Sequence, residues 1–138
     1  GDLWVARSGL SVLAGVESLE GNGARGFSTP LATLHKFQGY ADVFLTTPAN
    51  GIVDVYGKVG YETKLSEPFG PITAISVAAW YHDFDAERGG QSLGSEVDLE
   101  AAAKLGDHFT IGAKYADYDG DGGYAGRQKL WLYMDAVY

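Results

Sequence analysis

A chain of 138 residues with a formal charge of −8 is long enough for one domain with a core and short for two. The acidic balance argues against nucleic acid as a partner, because phosphate binding needs a cationic surface, and no stretch reaches the roughly 18 consecutive apolar residues that a membrane-spanning helix requires. With 20 Gly, 9 Tyr, 6 Phe and 3 Trp, the composition suits strands broken by tight turns rather than a helical bundle, while the absence of Cys fits an envelope protein and a cytosolic one equally.

A strand between two unlike environments alternates with a period of two. The first such run is expected at about 3–18, with Trp4, Ala6, Leu10, Val12, Ala14 and Val16 on one face and Arg7, Ser11 and Glu17 on the other. A long connection from Glu20 to Gly51 follows. Residues 37–47 within it could form a strand, but that would break the order of the loops, so a structured external or infolded loop is expected there. The second run, about 52–65, sets Val53, Val55, Val59 and Tyr61 against Asp54, Lys58, Glu62 and Lys64. After a short connection at Ser66–Pro71, the third run, about 72–84, sets Thr73, Ile75, Val77, Ala79 and Tyr81 against Ala74, Ser76, Ala78, Trp80 and His82.

A long connection from Asp85 to Gly94 leads to the cleanest alternation, Val97, Leu99, Ala101, Ala103 and Leu105 against Glu96, Asp98, Glu100 and Lys104. A short turn at Gly106–His108 precedes Phe109, Ile111, Ala113 and Tyr115 opposite Thr110, Gly112 and Lys114, and a long connection at Asp119–Gln128 leads to Leu130, Leu132, Met134, Ala136 and Tyr138 opposite Lys129, Trp131, Tyr133 and Asp135. Long and short connections therefore alternate, as in outer-membrane barrels, whose periplasmic turns are short and external loops long.

The expectation is an all-β, antiparallel up-and-down meander of about six strands of the outer-membrane β-barrel type. Residues 1–138 form one domain with a long loop at about 20–51. Six strands are fewer than the eight of the smallest single-chain barrel, which implies a fragment or a barrel completed by several copies. Trp4, Tyr61, Tyr81, Phe109 and Tyr138 lie towards the ends of apolar rows, where interfacial girdles sit. In this reading the apolar rows meet outer-membrane lipid or another copy. The charged rows line a lumen for a hydrophilic solute through Asp54, Lys58, Glu62, Glu96, Asp98, Glu100, Lys114 and Asp135. The alternative is a soluble β-barrel or sandwich that buries its apolar face and binds a hydrophobic ligand. No export signal is legible at the amino end, so a bacterial outer-membrane location rests on the strand pattern.

Catalysis is not expected. Gly90-Gln91-Ser92-Leu93-Gly94 matches the nucleophile elbow of esterases by letters, but no helix pattern follows Ser92. Gly21-Asn22-Gly23-Ala24-Arg25-Gly26 matches a dinucleotide fingerprint, yet Phe27-Ser28-Thr29-Pro30 does not open the helix that would receive a pyrophosphate. Asp117, Asp119 and Asp121 before Gly122 match the opening of an EF-hand, a weak calcium candidate whose closing position holds Gln128 where a bidentate Glu is wanted. The histidines His35, His82 and His108 do not have metal-ligand spacing.

Two stretches carry a resemblance: the run from Pro30 to Phe44, containing His35-Lys36-Phe37-Gln38-Gly39-Tyr40-Ala41-Asp42, and the later Asn50-Gly51-Ile52-Val53-Asp54. They resemble the His-Lys-Phe-x-Gly-aromatic-x-Asp stretch and the following Asn-x-x-x-Asp of the bacterial alginate export porins, and the last strand from Lys129-Leu130-Trp131-Leu132 looks like the close of that family. The resemblance implies the carboxyl-terminal part of a longer outer-membrane porin, with His35, Lys36 and Asp42 in a constricting or ordering loop. A polyuronate channel is expected to be cationic inside, whereas this stretch is acidic, so the resemblance implies a porin more than it implies alginate.

Overall fold

A computed structural model describes residues 2–7, 9–26 and 38–137. Seven strands, β1 (Asp2–Arg7), β2 (Leu10–Leu19), β3 (Ile52–Phe69), β4 (Ile72–Asp85), β5 (Ser92–Leu105), β6 (Phe109–Gly120) and β7 (Arg127–Ala136), form one antiparallel sheet in sequence order. The described residues contain no helix.

The all-β up-and-down meander is as expected, but its first run is not one strand. The chain turns through Gly9, which has φ +83° and where any Cβ would stand 2.3 Å from the Glu62 carbonyl oxygen, so only glycine fits there. The hairpin changes the phase of the alternation: Val5, not Trp4, pairs with Val12, and Trp4 pairs with Leu13. The sequence conceals this because Trp4, Val5 and Ala6 are all apolar and mark no face.

The connections are sorted by end. The β1–β2, β3–β4 and β5–β6 connections lie at one end of the sheet, and the β2–β3, β4–β5 and β6–β7 connections at the other. The short turn expected at Ser66–Pro71 is smaller still. Strand β3 continues to Phe69 with an irregular register between Lys64 and Phe69, a stretch that contains Pro68, which has no N–H to give the ladder.

Pairing fixes the two faces. Val59, Ala79, Leu99, Tyr115 and Leu130 stand in one cross-strand row, and Tyr61, Val77, Ala101, Ala113 and Leu132 in the next. These outward rows are apolar and yet exposed, Val59 by 53%, Leu99 by 48% and Leu132 by 78%. Of the girdle candidates, Tyr61, Tyr81 and Phe109 are on this face and exposed. Tyr138 falls outside the described residues.

The inward rows between them are polar: Tyr56, His82, Glu96, Tyr118 and Arg127; then Lys58, Trp80, Asp98, Ala116 and Lys129; then Gly60, Ala78, Glu100, Lys114 and Trp131. The buried apolar cluster lies at the long-loop end of this inner face, where Phe84, Tyr118, Ile52 and Leu93 pack with Ala41 and Phe44 of the long loop. Among the described residues β1 and β7 pair on one side only. The sheet is open rather than a closed barrel.

Candidate functional site

The inner wall carries all eight residues expected to line a lumen, with markedly different surroundings. Asp54, Glu96 and Asp98 are at most 1% exposed. Lys58, Glu100 and Lys114 are half-buried, and Glu62 and Asp135 are exposed towards the short-turn end. Burial follows from residues 38–44, which fold inward over the long-loop half of the wall and have turns and bends instead of the strand that residues 37–47 could have made.

This segment docks through its own backbone. The Tyr40 N–H donates to Asp98 Oδ2 at 3.1 Å and the Ala41 N–H to Glu96 Oε1 at 2.6 Å. Both contacts need the chain to come close to the carboxyl groups. At Gly39 (φ +83°) a Cβ would lie 2.5 Å from the Glu96 carboxyl carbon, so the glycine is required by conformation and by space. Gln38 and Asp42 also adopt positive φ, 60° and 55°, a conformation that costs a residue with a Cβ roughly 1–2 kcal/mol and persists only where neighbours enforce it.

Those neighbours come from five strands. The Gln38 side-chain amide donates to Glu17 Oε2 at 3.4 Å, Lys129 Nζ to Asp42 Oδ2 at 2.8 Å, and the Arg127 guanidinium to the Asp42 carbonyl oxygen at 3.0 Å. The Tyr40 hydroxyl donates to Glu100 Oε2 at 3.1 Å, and the Tyr133 hydroxyl to Glu100 Oε1 at 2.9 Å. Lys114 pairs with the same carboxylate at 3.8 Å and lies 4.4 Å above the Tyr40 ring. Phe44 closes the far side, with its ring centroid 4.9 Å from that of Phe84 and 5.2 Å from that of Tyr124. Burial, reinforced by the neighbouring Glu100 carboxylate, pushes the Tyr40 phenol well above its usual value.

Beneath the segment, His82 stands between two carboxylates. Its Nδ1 is 2.9 Å from Asp54 Oδ2 and its Nε2 3.8 Å from Asp98 Oδ2, while the ring stacks between Trp80 and Phe84 at centroid distances of 5.9 and 5.6 Å. Two buried carboxyl groups thus share one imidazole, and Lys129 and Arg127 are directed at the loop. Towards the short-turn end the wall opens into a recess of about 710 Å³, lined by the polar Asp42, Glu100, Lys114, Tyr133 and Asp135 and by the apolar Leu45, Trp131 and Leu132.

Asp42 is the loop candidate that the structure brings to the wall. His35 and Lys36 lie outside the described residues. The calcium candidate does not assemble: Asp117 and Asp119 sit in β6 on the outward face, Asp121 is in the turn beyond, and among the described residues no group of three or more suitable side chains could hold a metal ion. An extended strand spreads alternate carboxylates along a line, whereas an EF-hand loop wraps them round a point. Ser92 opens β5 with no helix after it. The residues missed from sequence are Gln38, Gly39, Tyr40, Phe44, Glu17, Tyr133, Arg127 and Lys129. The polar phase of the last strand already held Lys129 and Tyr133, but nothing in the letters showed that a loop 85 or so residues earlier would meet them, since the Arg127 contact to Asp42 spans 85 positions.

No family model, curated protein or solved structure matches the chain. The functional reading therefore rests on the geometry of the wall.

Proposed function

We propose that this chain forms part of the wall of an outer-membrane-type β-barrel whose polar inner face, narrowed by residues 38–44, passes a hydrophilic solute. One observation carries the reading: the polarity of the sheet is inverted, with apolar rows exposed on one face and carboxylates buried on the other. A protein folded in water does the opposite, since Asp and Glu are almost never fully buried without partners. A soluble monomer also rarely exposes a contiguous apolar patch beyond about 300–600 Å². Where lipid replaces water outside and water fills the lumen, this distribution is the stable one.

Dimensions agree with that environment. On β5 the outward apolar run from Val97 to Leu105 covers about 26 Å of strand at ~3.3 Å per residue. At a tilt of ~40° this gives about 20 Å of height, against an apolar band of ~25 Å in such barrels. Above it the outward row Asp83, Ser95, Asp119 is polar, which suits the headgroup zone. The resemblance of residues 30–54 to the alginate export porins supports the same reading. Closure to at least eight strands is part of the proposal, through the open edges of β1 and β7 and further strands from another copy or a longer chain.

A soluble sandwich that binds a hydrophobic ligand is the competing reading, favoured by an outward depression of about 530 Å³ walled by Val59, Val77, Leu99, Tyr115 and Leu130. Planar-bilayer recording separates the two. The barrel reading expects discrete conductance steps after the chain is added from detergent, whereas a chain that stays monomeric in detergent-free buffer and passes no current above background refutes it.

A further inference from the structure

The two open edges of the sheet differ. Strand β1 offers six residues, whereas β7 offers ten, Arg127–Ala136, in unbroken register with β6 and with no proline, glycine or bulge. Edges are commonly blunted by shortness, proline or a bulge, because a row of unpaired N–H and C=O groups is a template for another strand. The Val137 N–H donates to the His108 carbonyl oxygen, so the odd-numbered residues of β7 turn their backbone groups to β6. The even-numbered ones, Leu130, Leu132 and Met134 among them, turn theirs to the open side.

Strand direction narrows what can pair there. In a seven-stranded antiparallel meander β1 and β7 run the same way, so a second copy added head to tail would join β7 to β1 in parallel. A second copy turned by a two-fold axis normal to the sheet instead meets β7 with its own β7, antiparallel, and keeps its apolar rows on the same face. Only registers that set inward residues against inward residues preserve the two faces. Centred on Leu132, the register sets Lys129 against the partner's Asp135 and Trp131 against the partner's Tyr133 on the inner face. On the outer face it sets Leu130 against the partner's Met134, and Leu132 against its own counterpart. Opposite charges, aromatic pairs and apolar pairs directly across from one another are those that stabilise a sheet. On β6 the cross-strand neighbours of Lys129 and Asp135 are the uncharged Ala116 and Thr110, so the open side is where a cross-strand partner can answer their charge.

We propose that the edge of β7 is an interface for a second copy of this chain: two β7 strands pair antiparallel about Leu132 and join two seven-stranded sheets into one. Lys129–Asp135, Trp131–Tyr133 and Leu130–Met134 each occur twice across the seam, once in either direction. The long connections of the two copies lie at opposite ends of the joined sheet. The pairing needs the edge of β7 and the two unlike faces, whatever solvent meets them, so it and the proposed channel can fail separately.

The test places a nitroxide on Leu132→Cys in the full chain in detergent micelles, where the absence of native cysteine leaves one label per copy. Across the seam the two Cα atoms would stand about 5.5 Å apart. The spectrum is therefore expected to be broadened by spin–spin coupling and to sharpen when labelled chain is diluted with excess unlabelled chain. A label on Val59→Cys in β3, four strands from the seam at ~4.8 Å per strand, is expected to stay sharp. Asp135→Lys sets like charges opposite one another at both ends of the seam and is expected to weaken dimerisation about tenfold, read by sedimentation. A sharp Leu132 spectrum, equal broadening at Val59, or an unchanged dimerisation constant in Asp135→Lys overturns the proposal. If circular dichroism shows that Leu132→Cys has not folded, Leu130→Cys mixed with Met134→Cys replaces it; broadening in the mixture is expected, and its absence overturns the proposal.

Discussion

Gly39→Val should lift residues 38–44 off the inner wall. Valine would carry its Cβ to 2.5 Å from the Glu96 carboxyl carbon and would be held at φ +83°, a region that costs a β-branched residue most. Undocking removes two backbone donors from buried carboxyl groups, and hydrogen bonds to charged groups contribute about 1.5–3 kcal/mol each. The combined effect is on the order of 3–5 kcal/mol against the docked state. Because each 1.4 kcal/mol is tenfold, the Tyr40 and Ala41 amides should exchange with solvent at least about 100-fold faster at fixed pH. Wild-type protection in this variant would mean that the segment is not held by those two contacts.

The second large effect is on the outward face. Leu99→Arg places a cation in the middle of an exposed apolar row flanked by Ala79 and Tyr115. If that row meets hydrocarbon, the substitution should cost about 2–4 kcal/mol, read from reversible urea unfolding of the chain in phospholipid vesicles. Ala102→Arg, on the same strand and the opposite face, should cost about 1 kcal/mol or less, because inward positions are wetted. Equal costs for the two would show that the faces do not meet different solvents.

These two substitutions also mark what could and could not be read from sequence. The faces were legible because β5 alternates from Glu96 to Leu105 with Ala102 alone out of phase, and a period of two is fixed by strand geometry whatever lies on either side. The sorting of long and short connections was legible for the same reason, since it depends only on where each alternating run stops. The split of β1 from β2 was not, because the turn through Gly9 sits among residues that show no alternation. The docked segment was half legible. The run Gln38-Gly39-Tyr40-Ala41-Asp42 stood out as a motif, but its partners Glu96, Glu100, Arg127, Lys129 and Tyr133 lie 55 to 90 or so positions away, the Ala41–Glu96 and Asp42–Lys129 pairs being separated by 55 and 87. Long-range pairing of that kind is decided by the curvature and register of the whole sheet, which no local pattern encodes.

The inverted sheet also explains why carboxylates sit where a soluble protein would place leucines. In the proposed barrel wall the inner face needs no apolar core of its own, so polar side chains can order a loop by accepting its backbone N–H groups. The wall contacts the segment from β2, β5 and β7, with His82 from β4 beneath. Such a network rigidifies a segment whose fully buried apolar side chains are Phe44 and Ala41. The recess below it is then bounded by fixed groups, Tyr40 and Tyr133 on Glu100 and Asp42 on Lys129, which makes its size a property of the fold.

Spin labelling in phospholipid vesicles tests the two-solvent sheet most directly, and the absence of native cysteine lets single Cys substitutions from 96 to 105 be labelled without background. Nitroxides at Val97, Leu99, Ala101 and Ala103 should relax strongly with oxygen, which partitions into hydrocarbon, and those at Asp98, Glu100 and Ala102 should not, giving a period of two along β5. A profile in which a water-soluble relaxant reaches both sets alike would contradict the account.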